Sequence, residues 1–429
     1  MRKSYVIIIS FSLMLLVSCG KTKTENTLVI QSLKEVTAKD ILGNSAYLAI
    51  SYGGYRKKSR DSQPTISELK EDLKILSAMG IKVLRTYNVQ TKFPHASNVL
   101  KAISELKTED KNFEMYVMLG AWIDCLNAWT EAPNHNVESP NNEGEIKRVV
   151  ALANQYPDIV KIIAVGNEAM VKWAASYYVQ PSIILKWVKH LQKLKDNGQL
   201  PKDLWITSSD DFASWGGGEA QYHVADLEQL IKAVDFISMH TYPFHNTHYN
   251  PEFWGVPKAH ADIPDATKIE MAMERALKFA QKQYDSVTNY MKSLGVNKPI
   301  HIGETGWATR SNGFYGDNCS RAADQYKQGL YYKSIRNWTN NASISCFYFE
   351  AFNEQWKDAG NPKGSENHFG LFTIDGKAKY PIWDLVDQGV FDGLTRNGNT
   401  ISKTYNGNKE ALLKPVLVPP INEEIMVNR

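Results

Sequence analysis

Eight short apolar runs, each ending on polar residues, alternate along the chain with longer stretches in which apolar residues recur every three or four positions. The runs are Tyr47–Tyr52, Val83–Asn88, Met115–Gly120, Ile162–Glu168, Leu204–Ser209, Phe236–Tyr242, Ile300–Glu304 and Cys346–Glu350. Each has the length and texture of a buried strand. Between them, Thr65-Ile-Ser-Glu68 forms a capping box, Ile66, Leu69, Leu73 and Leu76 make one apolar face, and Gly80 marks the stop. A second helix is expected from Pro181 to Asn197, with Ile184, Trp187, Val188 and Leu191 as its stripe. The stretch from Thr267 to Leu294 is longer than a usual helix and is expected to be broken or preceded by extra loop. Strand and helix alternating eight times predict right-handed parallel crossovers that close into a single α/β domain, a (β/α)8 TIM barrel. An open doubly wound sheet fits the alternation less well, because no Gly-x-Gly-x-x-Gly follows the first run and no phosphate-binding loop is present.

The two ends lie outside this pattern. Arg2 and Lys3 precede an apolar stretch from Tyr5 to Val17, shorter than the ~20 residues a membrane-spanning helix needs. Leu16-Val17-Ser18-Cys19-Gly20 resembles the lipobox of bacterial lipoproteins. That resemblance implies cleavage before Cys19, a lipid on its thiol, and anchorage to a membrane of the bacterial cell envelope, on the periplasmic or surface face of the outer membrane. The expected organisation is a signal peptide over residues 1–18, a lipidated Cys and polar tether over 19–40, the barrel over 41–390 and an extension over 391–429.

Composition excludes several classes of partner. The 429 residues carry a net charge of +3, which falls to +1 once Arg2 and Lys3 are removed, so no basic field recruits nucleic acid. Cys125, Cys319 and Cys346 remain after Cys19, an odd number that allows at most one disulfide in an exported protein. No Cys-x-x-Cys is present, and a structural zinc is not expected. Neither cofactor nor metal is called for, and a monomer is expected.

In a barrel of this kind the chemistry sits where strands end. The strand ends supply Tyr52, Arg85 with Tyr87, Trp122, Asn167 with Glu168, Asp210 with Asp211, Tyr242, Glu304 and Glu350. Glu168 ends the fourth run and Glu304 the seventh, so the two face one another across the mouth and could approach to ~5 Å, the separation used by retaining glycosidases. One carboxyl would stay protonated to assist the leaving oxygen, and the other would stay ionised to attack the anomeric carbon. Asn167 could bond a sugar hydroxyl, and Arg85 and Tyr242 could hold Glu304 ionised and oriented. Asp210 and Asp211 are set aside as capping or turn residues.

Four segments carry a family resemblance. Val165-Gly-Asn-Glu168 and Ile302-Gly-Glu-Thr-Gly-Trp307 resemble the two catalytic segments of glycoside hydrolase family 17, the β-1,3-glucanase family of the retaining (β/α)8 clan. Val83-Leu-Arg-Thr-Tyr87 is similar to its second-strand Arg-x-Tyr, and Phe349-Glu-Ala-Phe-Asn-Glu-Gln-Trp-Lys357 to its eighth-strand segment. The resemblance runs from about Ala46 to Asp384. It implies Glu168 as acid/base, Glu304 as nucleophile, and Glu354 and Lys357 as supporting residues, acting on β-1,3-glucan of the laminarin type. Ala308 stands where plant members have Pro, and Phe349–Phe352 with Trp356 looks more like fungal and bacterial branches, some of which transfer glucan. A β-1,3-glucan transglycosylase is therefore the alternative activity. A non-catalytic glucan-binding lipoprotein is the alternative from another class, and the presence of both glutamates argues against it.

Trp122, Trp129, Trp173, Trp215, Trp254, Trp307 and Trp356 all fall at or after strand ends, and as a set they suggest a long cleft in which sugar faces stack on indole rings. His240, His245 and His248 lack zinc-site spacing, and His240 is expected to be a hydrogen-bonded rim residue.

Overall fold

A computed structural model describes residues 35–422. Cys19, the signal segment and most of the expected tether lie outside the described residues. All eight runs form strands: β1 (Leu48–Ser51), β2 (Ile81–Arg85), β3 (Tyr116–Ala121), β4 (Val160–Asn167), β5 (Trp205–Asp211), β6 (Ile237–His240), β7 (Ile300–Gly306) and β8 (Cys346–Phe349). They pair in sequence order, all parallel, and β1 closes on β8. The closed barrel confirms the fold class.

Alternation along each strand sorts side chains between two cores. Ala49, Val83, Met118, Ile162, Ala164 and Phe347 point into the barrel, where they pack with Phe236. Their neighbours Ile50, Leu84, Val117, Leu119, Ile163, Val165 and Tyr348 pack outward against the helices. This parity explains two departures at the strand ends. Tyr52 lies two residues beyond Ile50 and joins the outer core, where its hydroxyl donates to Asp72 at 3.1 Å. Trp307 also packs outward, against Phe244, Trp254 and Tyr331, and its indole N–H donates to the Ala322 carbonyl at 2.8 Å.

The helices follow their sequence signals. The Thr65–Glu68 capping box is formed at the head of helix Ile66–Ala78, and Pro181–Asp196 is helical. Of the two alternatives for the long stretch, the break is absent, since Asp265–Ser293 is one helix of 29 residues, and the extra loop is present before it, with short helical turns at Pro251–Phe253 and Lys258–His260. The long helix contains no Gly or Pro, and its small residues Ala272, Ala276 and Ala280 lie on the buried side.

Both ends of the described chain are tied to the barrel. The last residues of the expected tether form a short helix, Ala38–Ile41, closed by a Thr37–Asp40 capping box, and Ala38, Ile41 and Leu42 join the inner core. Sequence periodicity cannot show a helix of four residues. In the extension, Arg396 is buried and grips Asp72 through Nε at 2.8 Å and Nη2 at 3.1 Å. Asp72 also accepts from Arg56 Nη2 at 2.8 Å, so one carboxylate joins the helix Ile66–Ala78, the segment after β1 and the extension. Cys125, Cys319 and Cys346 are all free thiols.

Removing one partner of a buried ion pair strands the others without water. Asp72→Ala, which leaves the buried Arg396 guanidinium without its carboxylate and Arg56 with only the more exposed Glu71 and Glu68, is therefore expected to lower unfolding free energy in urea by about 3–5 kcal/mol. A loss below about 1 kcal/mol would contradict this role for Asp72.

Candidate active site

The end of β4 departs from regular strand geometry, and that departure builds the site. The β4–β5 register shifts between Ala164 and Asn167, and Gly166 takes a φ of +81°. A Cβ at Gly166 would lie 2.9 Å from that of Ala169, so position 166 needs glycine on both counts. In a regular strand Asn167 and Glu168 would point to opposite faces; the bulge lets both side chains engage groups at the mouth. Glu168 itself has a φ of +47°, a strained backbone for a residue with a side chain. Its N–H donates to the Ser209 carbonyl at 3.0 Å, and the N–H of Met170 donates to the buried carboxylate of Asp210 at 2.8 Å. Asp210 also accepts from Ser214 at 2.6 Å. It is the turn-capping residue the sequence suggests, and the turn it secures is the one that carries Glu168.

Glu304, on β7, receives three donors from two other strand ends, those of β2 and β6. Arg85 Nη1 lies 2.5 Å from Oε2, Tyr87 donates to Oε2 at 2.8 Å, and Tyr242 donates to Oε1 at 2.6 Å. The same guanidinium donates to Asn167 Oδ1 at 2.5 Å and to the Gly303 carbonyl at 2.8 Å, coupling β2, β4 and β7. Burial alone would raise the Glu304 pKa, but Arg85, together with the two phenols, holds it well below the usual carboxylate range.

Glu168 has the opposite environment. Burial, then the negative charge of Glu304, push its carboxyl up to about 8. Its other close partner is His240, whose Nδ1 lies 3.0 Å from Oε1 and whose Nε2 lies 2.8 Å from the Ser209 hydroxyl. Burial drives that imidazole down to about 4, so it is neutral at pH 7 and places no positive charge beside Glu168. The serine support depends on Gly303, where a Cβ would fall 2.1 Å from Ser238 Oγ and 2.6 Å from Ser209 Oγ.

Donor atoms of Glu168, His240 and Glu304 all lie within 4.8 Å of one another. Two carboxylates that close leave no room for the water of an inverting glycosidase, which needs ~6.5–9.5 Å, and fit the ~5 Å of a retaining one. The side chains are 16% and 9% exposed, open enough to meet a ligand. Those three groups could also converge on a cation. However, Arg85 already neutralises Glu304 and His240 commits its second nitrogen to Ser209, so the arrangement suits proton transfer better.

The remaining candidates divide. Lys357 lies 3.6 Å from Glu354 and 3.9 Å from Glu350, with its ammonium 4.5 Å from the Phe349 ring and 5.9 Å from that of Tyr87, so this cluster borders the nucleophile's partners. Trp122 and Trp356 are half-buried, and Trp129 and Trp173 are each 62% exposed. Trp215, Trp254 and Trp307 are fully buried, as is Tyr52, and these four offer no surface to a sugar. The three histidines do not converge: His245 bonds with the Tyr315 hydroxyl and His248 stacks on Phe314.

Residues 49–370 match the family model of the BtgE/BtgC glycoside hydrolase domain. The chain belongs to that family. This glycosidase is 68% identical to the endo-laminarinase from Formosa Hel1_33_131, whose crystal structure superposes with a TM-score of 0.89 over 90% of this chain and 98% of that one. It is 27% identical, over 73% of its own length and 83% of the relative's, to the glucan 1,3-beta-glucosidase of Arthroderma benhamiae. An active-site mutant of the Rhizomucor miehei beta-1,3-glucanosyltransferase, in complex with laminaritriose, is 22% identical with a TM-score of 0.53 over 79% of this chain and 97% of that one, and shares the fold.

The charge coupling in this glycosidase has a defined sign. Glu304→Gln removes the negative charge that opposes ionisation of Glu168, so the Glu168 pKa should fall from about 8. Carbon-13 NMR titration of the Glu168 carboxyl in both proteins measures the change, and an unchanged or raised value would contradict the coupling.

Proposed function

We propose that this enzyme is a retaining, endo-acting β-1,3-glucan hydrolase of the laminarinase type. The observation that carries the mechanism is the pair of carboxyls within 4.8 Å whose surroundings push their pKa values apart. Glu304, ionised and oriented by Arg85, Tyr87 and Tyr242, attacks the anomeric carbon while Glu168 gives its proton to the departing glycosidic oxygen. The bond to the leaving sugar breaks and a glycosyl ester forms on Glu304. Glu168, now ionised, takes a proton from water as its oxygen attacks the same carbon, and Glu304 leaves. Asn167, held by Arg85, can donate its amide to a sugar hydroxyl during both steps.

The likeness to the Formosa endo-laminarinase, whose sequence spans nearly the same length, supports the substrate and the endo action. Glu350, Glu354 and Lys357 border the nucleophile's partners and support a role in holding charge at the mouth. The lipobox-like Leu16–Gly20 supports a lipid-anchored enzyme of the bacterial envelope, joined to its membrane through Cys19.

The test is a product profile. Laminarin should be cut early into oligosaccharides of mixed length, and mixed-linkage glucan, cellulose and mannan much more slowly. Products longer than a supplied laminari-oligosaccharide, exceeding hydrolysis, would make the enzyme a transglycosylase instead; no cleavage of laminarin would overturn the assignment.

A further inference from the structure

Beyond β3 the chain makes an excursion that the barrel does not need. Residues Cys125–Leu126 and Asn134–Glu138 form a small antiparallel hairpin, which is docked onto the segment that follows Glu168. Cys125 N–H donates to the Tyr177 carbonyl at 3.2 Å, Trp129 N–H to the Ser176 carbonyl at 2.8 Å, and Gln180 N–H to the His135 carbonyl at 3.2 Å. The His135 ring stacks on Tyr178 at 3.7 Å. The hairpin is thus fixed to the stretch of chain that positions the acid.

At its turn stands Trp129, with φ at +66°, a backbone that disfavours any residue with a Cβ. Its ring stacks on Tyr177 at 4.8 Å and 23°, and both rings pack with Trp122, at 6.3 Å from Trp129 and 5.3 Å from Tyr177. Tyr177 is buried and Trp122 half-buried, whereas Trp129 is 62% exposed. Val179 N–H donates to the carbonyl of Ala169 at 2.7 Å, and Tyr177 packs with Val171 and Ala174, so the inner end of this stack rests on the segment that leaves Glu168. One face of the Trp129 ring packs on Tyr177 and Trp122, but most of the ring stays in water on a backbone that glycine would adopt without strain, a costly arrangement for packing alone.

We infer that Trp129 is a stacking platform for the leaving-group side of the glucan chain, beyond the sugar whose oxygen Glu168 protonates. This rests on the proposed glucanase activity and adds to it the residue that makes the enzyme favour long chains. The side follows from the chemistry: the departing sugar lies against the acid, and the Trp122–Tyr177–Trp129 stack is built on the segment that leaves Glu168, which the Val179–Ala169 hydrogen bond folds back toward the acid, whereas Arg85 and Tyr87, which hold Glu304, come from β2 and the segment after it. The occupant is a β-glucan, because its apolar ring faces match a flat indole and the platform is continuous with the site.

The test uses the same strained φ. Glycine is at ease at +66°, so Trp129→Gly removes the ring while relaxing the loop, and Trp129→Phe keeps a flat ring on the same backbone. The quantity to measure is the ratio of kcat/KM on laminarihexaose to that on laminaritriose. Trp129→Gly should lower this ratio about tenfold, the size of one lost stacking contact, chiefly through KM, and Trp129→Phe should recover most of it. An unchanged ratio in Trp129→Gly, whether both values hold or fall together, would overturn the platform. If the unaltered enzyme cleaves laminarin and the ratio does not move, the platform alone fails; if it does not cleave laminarin, the underlying activity fails first.

Discussion

The ion pair between Arg85 and Glu304 is the contact on which the rest of the site depends. Both side chains are withdrawn from water, and desolvation penalises each charge by several kcal/mol unless the other is present. Arg85 repays that cost several times over: it keeps Glu304 ionised, it fixes Asn167, and through the Gly303 carbonyl it ties β2 to β7. With Glu304 held negative, its neighbour across the mouth cannot easily ionise as well, because two carboxylates within 4.8 Å repel strongly in a poorly screened site. The division of labour between nucleophile and acid therefore follows from where one guanidinium is placed.

Backbone irregularity supplies what charge alone cannot. Asn167 and Glu168 are adjacent in sequence, and a regular strand would send one of them to the helices. The register shift after Ala164, the left-handed Gly166 and the strained Glu168 bring both to the mouth, while Asp210 and the Ser209 carbonyl secure the turn that follows. His240 completes the support with a neutral ring between Glu168 and Ser209, so the acid is oriented without being drawn toward ionisation. The cost of the strained conformation is met by these hydrogen bonds and by the packed barrel around them.

Much of this was legible before any coordinates. Eight strand patterns specified a barrel, and the barrel's rule that strand ends carry chemistry picked out Glu168, Glu304, Arg85, Tyr87, Asn167 and Tyr242. What the pattern could not resolve was parity at the strand ends. Tyr52 and Trp307 stand next to rim residues in sequence yet fall on the outward face, and a shift of one residue decides between sugar and core. Tryptophan gave no further signal, since Trp254 in the core and Trp129 in solvent are the same side chain and only tertiary contacts separate them. His240 was visible as a rim residue, but nothing in its spacing announced that it reaches past β5 to Glu168. Length alone leaves open whether the stretch to Leu294 breaks or follows extra loop, and the absence of Gly and Pro from Asp265 to Ser293 is what favours the unbroken helix after a loop.

The central claim is a two-step displacement through Glu304, and the configuration of the first product tests it directly. Proton NMR followed from the start of laminari-oligosaccharide hydrolysis, before mutarotation intervenes, reports the anomer released. Double displacement gives the β-anomer first, with α arising only on equilibration. Initial release of the α-anomer would mean a single displacement by water, and would contradict the role of the closely opposed carboxyls.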